Sequence, residues 1–146
     1  MLTSNDVTKA IETAFNTDPA FEGRNICRSD TVNTDPELCP WVGIYGTSIV
    51  YDPETLGQGP EAWTGAVTLT IVAQEVNYSS GAEVEDSLNA LVELVINKLF
   101  SDLSIRGIVD IVKGVDVTYS YVIGSETEEL YFQSAFITVE TEVSTS

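Results

Sequence analysis

Carboxylates are the chemistry this chain has in quantity: 23 Asp and Glu stand against six Lys and Arg, with two cysteines and no histidine. Paired carboxylates do general acid–base work when their environments drive the two pKa values apart, but no spacing here singles out a pair. A nucleophilic serine or cysteine needs an adjacent base, and imidazole, the usual one, is missing from the composition. The run SDTVNTDPE offers Asp30, Asn33, Asp35 and Glu37 to a cation, without the alternating ligands and central glycine of a calcium loop. LGQGPE has two glycines but neither the Lys-Ser/Thr pair nor the strand-to-helix setting of a phosphate loop. Cys27 and Cys39 match neither a CxxC redox pair nor a zinc spacing. They read either as small core or strand residues or as a disulfide between neighbouring strands, which a reducing cytoplasm disfavours. The reading is therefore of no catalytic residue, no metal site and no cofactor, which points away from an enzyme.

The charge still needs a task. A net charge of −17 on 146 residues repels phosphate, so a groove that grips the nucleic-acid backbone is excluded. A hydrophobic fraction of 43% is that of a globular chain rather than a disordered one. The length suits one domain, with about 70% of the unfolded surface buried on folding. No run reaches the ~18 uncharged apolar residues that span a bilayer, and MLTSNDVTKA lacks the basic start and apolar middle of a signal peptide. The expectation is a soluble protein made in a cytoplasm, with no membrane partner.

Hydrophobic spacing supplies the elements that would position any site. Val7, Ala10, Ile11, Ala14 and Phe15 fall at helical spacing behind Thr3 and Ser4 as caps, with Asp6 in the first turn and an end near NTDP. WVGIYGTSIVY is β-rich but interrupted by Gly43 and Gly46, as in a bent or edge strand, and RNICR could supply one more short strand. In GAVTLTIVAQEV, Val67, Leu69, Ile71 and Ala73 alternate with Thr68, Thr70 and Gln74. A long helix follows, with Val84, Leu88, Leu91, Val92, Val95, Ile96, Leu99 and Phe100 as its stripe and a Ser80–Glu83 capping box. Val115, Val117, Tyr119, Tyr121 and Ile123 then share one face, and LYFQSAFITVETEV returns with Ala135, Ile137, Val139 and Val143 inward and Glu140 and Glu142 outward.

The order helix, strands, long helix, strands predicts an α+β fold: one domain over residues 1–146, its mostly antiparallel four- to five-stranded sheet packed by a short N-terminal helix and one long helix. EELYFQS fits the recognition sequence of a plant-virus protease used to remove purification tags, but the alternation running through it into SAFITVETEV places it in a native strand. Trp41, Tyr45, Tyr51 and Trp63 lie in the irregular part of the chain. There they either anchor an interface or plug the core beneath the loops.

In layout the chain resembles the tail terminator proteins of long-tailed bacteriophages, also called tail completion or minor tail proteins. The resemblance rests on DVTKAIETAF, then CPWVGIYGTS beginning its strand at Pro-Trp, then GAVTLTIVAQEV. The helix AEVEDSLNALVELVINKLFSD, the link LSIRGIVDIV and a closing pair ending AFITVETEV complete it. After the helix the family commonly has a leucine, one or two glycines and a β-rich run. Leu103, Gly107 and IVDIV take those places, with Arg106 where a second glycine often stands. The resemblance implies a virion protein of the tail, assembled in the host cytoplasm, that forms a hexameric ring on itself. Such a ring caps the tail tube protein, stops its polymerisation and presents a surface to the head connector, while DNA passes through without specific binding. Another neck or tail component, a head-to-tail adaptor or tube subunit, is the alternative; a small carboxylate-based enzyme or binding module is a more distant one. On the terminator reading the loop with Tyr51, Pro53, Glu54, Leu56, Pro60 and Trp63 would touch tube or connector. Glu126, Glu128 and Glu129 would line the lumen, and Trp41, Tyr45 and Arg106 would meet the neighbouring subunit.

Overall fold

A computed structural model describes residues 3–28, 36–51, 63–78, 80–102, 111–123 and 131–145. Helix α1 spans Ser4–Thr17, β1 Asn25–Arg28, β2 Trp41–Tyr51, β3 Trp63–Asn77, α2 Gly81–Ser101, β4 Ile111–Ile123 and β5 Tyr131–Thr145. The α+β expectation holds: one five-stranded sheet, in the order β1-β2-β3-β5-β4, is antiparallel except for the β1–β2 pair.

Helix α1 begins where Thr3 donates its backbone N–H and its hydroxyl to the Asp6 carboxylate, at 2.7 and 3.0 Å, placing a negative charge at the positive end of the helix dipole. It stops at Asp18, whose extended backbone is the one that the following Pro19 favours. The Asp18 carboxylate accepts the Ala20 N–H at 2.9 Å and so caps the 3-10 turn Pro19–Phe21. That turn lays the Phe21 ring on Phe15, with centroids 4.4 Å apart and planes within 9°. Gly23, at φ +82°, then reverses the chain into β1 in a left-handed conformation that other side chains resist.

Helix α2 is capped by Ser80, whose hydroxyl accepts the Glu83 N–H at 3.1 Å, one of the two bonds that the capping-box reading expects. Ser80 donates its own N–H to Asn77 Oδ1 at 3.1 Å, so the end of β3 helps to hold the start of the helix. Val84, Leu88, Leu91, Val92, Val95 and Leu99 are buried, while Ile96 is half-buried and Phe100 is 46% exposed. Phe100 therefore leaves the expected stripe: at 100° per residue it lies about 130° around the helix from the stripe's centre.

Both helices pack on the same face of the sheet. Val7, Ile11, Ala14 and Phe15 of α1 and the α2 stripe share one core with Val42, Ile44, Val67, Leu69, Ile71, Ala73, Ala135, Ile137 and Val139. A bulge at Thr47, whose hydroxyl donates to the Thr68 carbonyl at 2.9 Å, shifts the β2 register. Before it, Val42 and Ile44 face Ala73 and Ile71; after it, Ile49 and Tyr51 face Val67 and Gly65. The extra residue changes β2 from even to odd numbering on the helix side, so Ile49 and Tyr51 stay on the core face after it.

The opposite face departs from the expectation drawn from alternation. Thr70 and Gln74, read as the outward side of β3, are buried, with Trp41, Val72, Phe132 and Ser134 beside them, and Gln74 Nε2 donates to Ser134 Oγ at 3.0 Å. Alternation reports which residues share a face, not what lies over it. β2 is both bent and partly an edge: β1 pairs only with its residues Trp41–Ile44. EELYFQS leads into β5, which has β3 on one side and β4 on the other.

Two outcomes follow. Leu91→Ala should lower the unfolding free energy by about 2–5 kcal/mol, and Phe100→Ala by less than about 1 kcal/mol, read from urea denaturation. The plant-virus protease should leave the folded chain uncut and cleave only unfolded protein, because Tyr131–Ser134 of its site are paired with β3 and β4. Rapid cutting of native protein would contradict that place for β5.

Candidate functional site

The acidic surface is the feature with functional content, and its geometry begins with where the cations go. Arg28 Nε lies 3.7 Å from Glu12 Oε1, and an Arg28 Nη1 hydrogen bond to Asn5 Oδ1 joins β1 to α1 a second time. Lys98 Nζ reaches Asp18 Oδ2 at 2.9 Å and Asp102 Oδ2 at 2.7 Å, clasping the last turn of α2 to the end of α1. Lys113 pairs with Glu142 at 3.0 Å. Arg24 donates Nη1 to the Ala20 and Glu22 carbonyls at 2.9 and 3.5 Å. These four cations hold the subunit's own elements together, and Lys9, exposed on α1, is the one cation among the described residues without such a bond.

Besides Glu22 and Glu37, the exposed carboxylates among the described residues occupy two surfaces. On α2, Glu83, Glu85, Asp86 and Glu93 all point to solvent. On the sheet face away from the helices, Asp116 of β4 and Glu140 of β5 are exposed, with Glu142 half-buried against Lys113. Two strand segments carry little net charge. Residues 45–51 of β2 carry no charge, and β4 carries one Lys and one Asp. Both segments show apolar side chains to solvent, Val50 at 64% and Tyr119 at 44% exposure.

Among the described residues no group of three or more Cys, Asp and Glu is placed to hold a metal ion, and no helix is long and apolar enough to cross a membrane. A shallow hollow of about 360 Å³ lies over the 3-10 turn, lined by Asn16–Pro19 and Phe21–Arg24. Its one cation, Arg24, is already bonded to that turn's carbonyls. Cys27 and Cys39 are half-buried thiols that do not form a disulfide.

Of the residues singled out from the sequence, Trp41 is buried at 7% exposure with its indole N–H lacking an acceptor, so it packs inside the subunit. Tyr45 is half-buried on the same face of β2, opposite Thr70. Tyr51 is half-buried at the end of β2 against the core, and Trp63 opens β3. Pro53, Glu54, Leu56, Pro60, Arg106, Glu126, Glu128 and Glu129 lie outside the described residues, as do Leu103 and Gly107 of the link.

Sequence reasoning passed over Glu75. It follows Ala73 on the core-facing side of β3, opposite Gln133 of β5, and is only 9% exposed. Burial pushes its carboxyl above the usual Glu value, against the opposing pull of the Arg24 charge and the Val76 N–H. Its position in the odd-numbered row was the available signal. Asp18 and Asp6 shift the other way: the Lys98 contact and the Ala20 N–H hold Asp18 low, and the Thr3 N–H and hydroxyl hold Asp6 low.

No family model matches the chain, and no curated protein matches it.

The opposed shifts define a pH profile. Glu75 binds its proton more tightly when folded, so its contribution to stability falls as pH rises from about 4.5 through its raised folded value. Asp18 and Asp6 contribute stability above about 3.8 that is lost as pH falls through their depressed folded values. Glu75→Gln should therefore raise the melting temperature at pH 7 and flatten its dependence between pH 4.5 and 7. Asp18→Asn should lower the melting temperature at pH 7 and leave it near wild type at pH 3. Melting followed by circular dichroism across pH 3–8 checks both.

Proposed function

We propose that the chain is a structural subunit of a phage tail, the terminator that closes on itself as a ring at the end of the tail tube, stops tube growth and receives the head connector. The observation that carries this reading is the division of charge: four of the five described cations are bonded within the subunit, while carboxylates of α2 and of the sheet face away from the helices point outward. A ring of such subunits has a hole with anionic walls, and phosphate does not adhere to carboxylate, so a duplex threads it without sticking. The sheet face with Asp116 and Glu140 supplies those walls, and Glu126, Glu128 and Glu129 are the further carboxylates that this reading assigns to them. The loop after Tyr51, with Pro53, Glu54, Leu56 and Pro60, meets tube or connector. One continuous core under both helices gives each subunit the stiffness that ring closure needs, because small angular errors accumulate around the circle.

Added to purified tail-tube subunits, the protein should halt growth at the length reached and appear as a closed ring at the tube end by electron microscopy. Tubes that lengthen at their former rate would sink the reading, and stacking of the protein into its own filaments would mark a tube subunit instead. Reversing Glu126, Glu128 and Glu129 to Lys should leave capping intact and slow DNA ejection several-fold, increasingly so at low salt.

A further inference from the structure

We draw no further inference here: the strongest candidate, the helix-side surface patch of β4 at the end of the sheet, with half-buried Val115 and Val117 and exposed Tyr119, carries nothing because nothing in the structure shows what covers it.

Discussion

The antiparallel pairing of β3 with β5, from Trp63 opposite Thr145 to Asn77 opposite Tyr131, is the constraint on which the molecule depends. It joins strands that α2 and β4 separate in the chain, so it closes a long loop before its contacts repay the lost entropy. Once made, it sets a row of Val67, Leu69, Ile71 and Ala73 beside Val139, Ile137 and Ala135, a surface apolar enough to hold α2. β2 and β4 then add to its two sides, and α1 covers the β2 end. The Gln74–Ser134 hydrogen bond and the bond from the Thr141 hydroxyl to the Val67 carbonyl at 2.9 Å fall across this same pair. Buried polar groups that bond only in one register penalise slippage by one residue.

The described cations that form ion pairs act between elements of the subunit. Lys98 ties α2 to α1, and Arg28 ties β1 to α1, so both stiffen the subunit. Lys113, at the β4 bulge, pairs with Glu142 on an exposed part of the sheet, where an ion pair contributes little stability but cancels a charge beside the edge.

Much of this was legible before any coordinates. Residue spacing marked both helices, the Thr3–Asp6 start of α1, the Ser80 cap and the closing β4–β5 pair, because local periodicity and capping depend on neighbours in the chain. The short β1 strand and the bend in β2 were visible as RNICR and as Gly43 and Gly46. The candidate site was much less legible. Phe100 belonged on paper to the stripe, and Thr70 and Gln74 to a solvated face, since pattern alone carries no information on what packs against a face. Glu75 looked like one carboxylate among many until the core row enclosed it.

The amino-acid sequence by itself determined the α+β class, the elements and their periodicity, the surplus of carboxylates and the lack of a histidine base. Each of these follows from composition or from residues within a turn or two of one another. Only the tertiary structure decided the strand order β1-β2-β3-β5-β4, the residues enclosed on both sheet faces and the partners that Arg24, Arg28, Lys98 and Lys113 take. Those outcomes depend on which distant segments meet, and the strand register that settles them is a property of the whole sheet rather than of any one strand.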